Sequence, residues 1–264
     1  MTSNPVYDQI GFQYNQTRKA DPFIAGQLWD LLEVELSKKY LDLGCGTGNY
    51  LKALLDKNTD IYGVDPSDTM LQEARTRGLM NRVFKGESDK IPFPGSFFKG
   101  TIAVLTTHHW PNLLNGFSEI HRCLEEEGIL VIFTFTPDQV NHYWLKEYFP
   151  KMIEGDSQKI PDLENLRQTL KQSGFKVQEE RIYWVQDDLQ DQFMYSHKNH
   201  PEKYLLEEIR KGISAFRLAK DQNEIQKGLE QIRRDIESGD IQKIIDRYTQ
   251  LEFGDYIFIK AQKI

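Results

Sequence analysis

The chain is poor in cysteine. Its 264 residues hold only Cys45 and Cys123, too few for a disulfide scaffold or a cysteine-rich zinc site, and no metal is expected. Positive charge is also scarce: 33 Lys and Arg stand against 40 Asp and Glu, a net charge of −7. With no long basic run, nucleic acid is not the expected partner. No stretch approaches about 18 uninterrupted apolar residues, so no membrane span is expected. The opening MTSNPVYDQI lacks the apolar core of a secretory signal. These absences point to a cytoplasmic protein. What is present suits folding: 39% apolar and 12% aromatic residues, on a chain long enough for a sizeable core.

Asp21-Pro22 reads as a cap followed by the first turn of a helix, with Leu28, Leu31, Leu32 and Leu36 on one face. Tyr40 to Leu43 reads as a strand, and Tyr50, Leu51, Leu54 and Leu55 as the next helix. Ile61 to Val64 is a second strand that ends at Asp65, and a helix with Met70, Leu71 and Ala74 inward follows. Further strands are expected at 82–85, 101–105 and 129–135, with Leu113, Phe117, Ile120 and Leu124 as a helical stripe between the last two. Leu163, Leu166 and Leu170 mark another helix, closed by Gly174 ahead of a strand at 175–177. Alternating strands and helices predict an α/β fold with a mostly parallel sheet covered on both faces. Residues 187–250 break the rhythm. Stripes at Leu205, Ile209 and Phe216, at Ile225, Leu229, Ile232 and Ile236, and at Ile241, Ile244, Ile245 and Tyr248 predict a helical insertion before a last strand. That insertion is either a lid or an oligomerisation surface, or simply helices that complete the core.

The stretch YLDLGCGTGNY places three glycines, Gly44, Gly46 and Gly48, directly after a strand and before a helix. There the loop lies at the carboxyl edge of the sheet with backbone N–H groups expected to be free. A phosphate loop needs GxxxxGK followed by Ser or Thr. Position 49 is Asn and no lysine follows until Lys52, so that reading fails. The dinucleotide fingerprint GxGxxG also fails, because Asn49 stands where its third glycine belongs. That leaves a nicotinamide-dependent oxidoreductase only a minor alternative, and close helix packing by a third glycine is not expected. Asp65 ends the second strand 21 residues beyond Gly44, where a carboxylate accepts from both hydroxyls of a ribose. As a structural alternative, Asp65 would cap the next helix with Pro66 at its first position.

DLGCGTG followed by GVD resembles the class I S-adenosylmethionine-dependent methyltransferases, in particular the small-molecule group that contains the UbiE-like and trans-aconitate-methyltransferase-like enzymes. The resemblance continues through FKGESDKIPFP, LTTHHW, IHRCLEEEGILVI and SGF, and covers roughly residues 10–185, with the last strand at 254–262. It implies a Rossmann-like sheet whose last strand is antiparallel, a single domain with an N-terminal helical cap over 1–39, a core at 40–186 and 251–264, and the insertion at 187–250. It implies S-adenosyl-L-methionine as cofactor. By the same resemblance Asp42, Gly44, Cys45, Gly46 and Gly48 lie beneath its methionine portion, and Asp65 holds its ribose. Pro66 follows that carboxylate, and Met70 walls the adenine or belongs to the core. Glu87 meets the adenine amine, Ser88 the ring, and Thr106 the junction of cofactor and acceptor. Tyr7, Tyr14 and Arg18 match an arrangement common in the leading helix of small-molecule members. Tyr14 and Arg18 share a helical face, and Arg18 is placed to pair with the cofactor's carboxylate. The chain departs from the family at Phe98-Lys99-Gly100, where relatives often carry Phe-Asp.

Methyl transfer from a sulfonium is an in-line displacement that needs alignment and exclusion of water. His108 and His109 stand just beyond the fourth strand, as candidates for a general base or for scaffold hydrogen bonds, and Trp110 offers an apolar wall. His142, Tyr143, Trp144, Tyr148 and Phe149, with Phe193, Tyr195 and Tyr204 from the insertion, either enclose an apolar or planar small-molecule acceptor or fill the core. The expected activity is methyl transfer to such an acceptor by a monomer or homodimer. A catalytically silent cofactor-binding regulatory module is the alternative.

Overall fold

The computed structural model describes residues 18–248 and 252–264. Asp21 starts the first helix as expected: its Oδ1 accepts from the N–H groups of Phe23 and Ile24, both at 3.0 Å. Helix α1 (Pro22–Leu31) buries Ile24, Ala25, Leu28 and Leu31. The stripe does not reach Leu36. The helix ends before it, Glu33 turns the chain at φ 52°, and Leu36 is 63% exposed.

Strand β1 (Lys39–Leu43) and helix α2 (Asn49–Leu55) flank the glycine loop. Strand β2 (Asp60–Asp65) follows, then α3 (Asp68–Ala74), whose cap is Ser67 and not Asp65. After the short edge strand β3 (Val83–Lys85) comes β4 (Phe98–Val104), then α4 (Leu113–Cys123) and β5 (Leu124–Thr134). The next stretch, which carries the aromatics from Tyr143 to Phe149, is largely helical. A capping box at Thr136 and Gln139 opens α5 (Pro137–Asn141), a 3-10 turn spans Trp144–Glu147, and α6 (Pro150–Ser157) follows. Helix α7 (Leu163–Gln172) leads through Gly174, at φ 83°, into β6 (Phe175–Tyr183).

The Leu205–Ile209–Phe216 stripe is not one helix. A 3-10 turn at Pro201–Leu205, α8 (Glu207–Gly212) and α9 (Ser214–Leu218) divide it, because Leu206 and Ile213 are extended. The other two stripes hold as α10 (Gln222–Ser238) and α11 (Asp240–Asp246), parted at Gly239. Strand β7 (Tyr256–Lys263) returns to the sheet.

The sheet has seven strands in the order β3-β2-β1-β4-β5-β7-β6. The first five pair in parallel, and β7 runs antiparallel between β5 and β6. Alternation along the strands feeds two cores. Tyr40, Ile129, Val131 and Phe133 point to one face, and Leu41, Leu43, Leu130 and Ile132 to the other. The expected Rossmann-like sheet, with an antiparallel last strand, flanking helices and an insertion before that strand, is thus formed. The strand order reverses between β1 and β4, which opens a crevice at their carboxyl ends.

Candidate functional site

A cavity of about 350 Å³ occupies that crevice. It is within the size range of small-molecule and cofactor sites. Its floor is the loop after β1. The N–H groups of its glycines and of Cys45 are not free, contrary to expectation. Gly44 and Cys45 donate to Val64 O at 2.7 and 3.1 Å, Gly46 to Asp65 Oδ2 at 2.8 Å, and Gly48 to Cys45 O at 2.9 Å. A phosphate cradle needs those donors; this loop instead offers a flat backbone surface clamped to the end of β2.

Two of the glycines are required for different reasons. Gly44 holds φ 78°, and a Cβ there would fall 2.1 Å from Thr106 Oγ1, so the loop lies against the end of β4. At Gly48 an added Cβ would meet Leu79 Cδ1 at 2.3 Å. Gly48 therefore does not line the cavity as expected; it lets the start of α2 pack closely on Leu79, although Asn49 stands where the dinucleotide fingerprint has its third glycine. Gly44, Cys45 and Gly46 do line it, with Asp42, Asp65, Pro66, Met70, Glu87, Ser88 and Thr106. Met70 does both jobs suggested for it, being 2% exposed yet at the cavity wall.

Asp65 ties the floor together. Its Oδ2 accepts from Gly46 N, and its Oδ1 from Ser67 N at 2.9 Å. Burial, then the nearby Asp65 charge, push the Asp42 carboxyl up to about 8, against a stabilising Leu51 N–H. Burial, followed by the charges of Asp42 and Asp65, drives the Cys45 thiol well up, so it is an inert wall rather than a nucleophile. Ser88 is buried and its Oγ has no hydrogen-bond partner in the protein. A buried hydroxyl at a cavity wall invites a polar ligand atom, since leaving it unmet costs free energy. The carboxylate at the end of β2, the flat glycine floor and this hydroxyl fit the ribose, methionine and adenine portions of S-adenosylmethionine.

The other end of the cavity is made of side chains. His109, Trp110 and Pro111 line it, whereas His108 does not. The two rings are 3.9 Å apart, and His108 packs 5.1 Å from Phe135. Burial, then the charges of His109 and Lys159, lower His108 well below its ordinary value. His109, although its side chain is open to solvent on one side, is brought down to about 4, first by desolvation and then by Lys159. Both rings are therefore neutral at pH 7. Leu105, between β4 and this turn, holds φ 50°, a strained conformation for a branched side chain at a cavity wall. The aromatic residues expected to enclose an acceptor mostly fill the core: Tyr143, Trp144, Tyr148, Phe149, Phe193, Tyr195 and Tyr204 are all buried. A smaller crevice touches His142, Tyr143, Trp144 and Tyr195.

Arg18 lines the cavity from a non-helical stretch; Tyr7 and Tyr14 lie outside the described residues. Its guanidinium pairs with Asp191, to which Tyr50 OH also donates at 3.1 Å. Asp191 escaped sequence reading because one acid in a polar stretch carries no pattern. Arg77, which donates to Thr47 O at 3.0 Å and Asn49 Oδ1 at 2.7 Å, escaped it for the same reason.

The "Methyltransferase domain" family matches residues 41–132. A crystal structure of a putative methyltransferase from an antibiotic biosynthesis pathway of Anabaena variabilis superposes with a TM-score of 0.83 at 31% identity, over 94% of this chain and 99% of that one. Demethylmenaquinone methyltransferase of Geobacillus stearothermophilus is 28% identical over 48% of this chain and 59% of its own length. Malonyl-[acyl-carrier protein] O-methyltransferase of Legionella pneumophila is 30% identical over 47% and 46%. The chain thus spans about three fifths or less of these two curated relatives. No helix among the described residues is long and apolar enough to cross a membrane. Family match, full-length structural likeness and the glycine-floored crevice agree: the chain belongs to the class I S-adenosylmethionine-dependent methyltransferase superfamily.

Proposed function

We propose that this chain transfers a methyl group from S-adenosyl-L-methionine to a small-molecule acceptor by in-line displacement. The observation that carries the reading is one continuous cavity, walled by Asp65, Glu87 and Ser88 at one end and by His109 and Trp110 at the other. The bound sulfonium supplies an activated methyl group. The protein's part is to hold that donor, align the acceptor and exclude water. Asp65 accepts from the ribose hydroxyls. Glu87 and Ser88 face the adenine, beside Met70 and Pro66. Asp42, Gly44, Cys45 and Gly46 lie under the methionine portion, with Arg18 at its carboxylate. Thr106 sits where donor and acceptor meet. His109, neutral at pH 7, accepts a proton from an acceptor O–H or N–H; His108 backs it from behind. The N-terminal cap over 1–39, the core and the insertion at 187–250 act as one domain, with the insertion on the lid side.

Titration calorimetry with S-adenosylmethionine, S-adenosylhomocysteine and NAD tests the reading. Binding of the first two without NAD, followed by methylation in a screen of small metabolites, is the expected outcome. NAD binding alone would return the protein to dehydrogenase chemistry. Cofactor binding with no acceptor in an exhaustive screen would favour a regulatory module.

A further inference from the structure

The cavity holds a pair of opposite charges that no sequence pattern announced. Arg18 Nη2 donates to Asp191 Oδ2 at 3.2 Å, and Arg18 Nε bonds Asp191 Oδ1, so the contact is two-pronged. Tyr50, from the first turn of α2, adds its hydroxyl to Asp191 Oδ2. The Arg18 side chain is 13% exposed and that of Asp191 2%, yet both border the cavity beside Gly46 and Asn49. The surrounding backbone fixes the pair. Asn49 Nδ2 donates to Arg18 O at 3.1 Å, and Gln190 N to Asp21 Oδ2 at 3.1 Å. The stretch before α1 and the entry to the insertion are thereby stitched together at the cavity wall.

A buried ion pair of this kind rarely repays its desolvation by stability alone. One placed at a cavity wall has a further use. A zwitterion presents a carboxylate and an ammonium a few ångströms apart, and it is net neutral. A matched cation and anion complement both groups without changing the charge of the site. A ligand end with only one of the two charges leaves one wall charge uncompensated.

Building on the methyltransferase reading above, we propose that Asp191, supplied by the insertion and oriented by Tyr50, recognises the α-ammonium group of the cofactor's amino-acid end, while Arg18 takes its carboxylate. The insertion then contributes directly to cofactor recognition. Cofactor selection is shared between two segments more than 170 residues apart in the chain.

The test compares two ligands that share adenosine and differ in this end: S-adenosylhomocysteine, which has the amino acid, and 5′-methylthioadenosine, which lacks it. Calorimetry is run on the full chain and on Asp191→Asn, which keeps the side-chain volume. Asp191→Asn is expected to weaken S-adenosylhomocysteine roughly 10- to 100-fold, the range of a lost charge-assisted hydrogen bond, and to leave methylthioadenosine within about twofold. Tyr50→Phe, a milder change, is expected to weaken only S-adenosylhomocysteine, by about threefold. Equal losses for both ligands would mean that Asp191 is merely structural and would overturn the proposal, as would no loss for either. A wild-type chain that binds neither ligand would overturn the methyltransferase reading itself and this proposal with it.

Discussion

The two ends of the cavity are built from different materials. The end under Gly44, Gly46 and Asp65 is made of backbone, from tight turns after β1 and β2 whose N–H groups are spent on Val64 O and the Asp65 carboxylate. The end at His109, Trp110 and Pro111 is made of side chains, set behind a strained Leu105 and backed by aromatic packing around Phe135. The difference teaches where specificity can change. A backbone floor depends on a few residues without which it cannot form. A side-chain wall can exchange residues and keep the fold, so one cofactor can be served to many acceptors.

The contrast is sharpest at Gly44. Gly44→Val adds a branched side chain where φ is 78° and Thr106 Oγ1 lies 2.1 Å from the new Cβ. It is expected to destabilise the fold by roughly 3 kcal/mol or more, read by urea unfolding, and to abolish cofactor binding. A normal midpoint would mean the floor is not fixed by close approach. Next in size is Asp65→Ala. Losing the bonds to Gly46 and Ser67 together with the proposed ribose contacts should weaken cofactor binding by about 1.5–3 kcal/mol. Unchanged calorimetric affinity would remove Asp65 from the site.

At the side-chain end, His109→Ala is expected to lower turnover on the order of 100-fold while cofactor affinity stays nearly constant. His108→Ala should mainly cost stability, because its ring is packed behind the cavity. If His109→Ala turns over normally, the general-base role is wrong. The pH dependence has a definite sign. His109 folds with its proton affinity lowered from 6.5 to about 4. The unfolded chain therefore binds more protons between those values, and stability from this group is complete above pH 6.5 and is lost as pH falls toward 4. Turnover should accordingly be flat from pH 6 to 8 and decline on approach to about pH 4. The smallest effect is expected at Ser88. Ser88→Ala removes an unpartnered buried hydroxyl, so the free protein should be unchanged or slightly more stable. Cofactor affinity should drop only a few-fold. A clear loss of stability in the free protein would show that the hydroxyl already serves the fold.

The same contrast explains what could be read from the sequence. The β1 and β2 strands, their loops, Asp65 and the helices around them follow from local signals: glycine spacing, apolar runs and a cap at Asp21. So do α10 and α11, with Gly239 between them. Local signals failed where distant segments meet. Leu36 continued a helical period that Glu33 had already broken. Leu205, Ile209 and Phe216 shared a spacing but not a helix, because period alone does not see the extended residues Leu206 and Ile213. The N–H groups of Gly44, Cys45 and Gly46 could not be read as bonded, because their acceptors, Val64 O and Asp65 Oδ2, belong to the neighbouring strand. His108 and His109, adjacent in sequence, parted company through the 3-10 turn that carries them, with one ring at the cavity and one behind it. Asp191 has no local signature at all; its role exists only once Arg18 and Tyr50 are beside it.

The position of β7 has a consequence for how the chain is made. This strand lies between β5 and β6, yet it follows both in sequence, after the whole segment 184–255. During synthesis β5 and β6 emerge with no neighbour to join them, each showing an open row of amide and carbonyl groups. The sheet becomes continuous only when the last strand slides into the gap. A nascent chain stalled inside the insertion thus holds β5 with one unmatched edge and β6 with neither edge matched, a form suited to pairing with other chains and in need of a chaperone's cover.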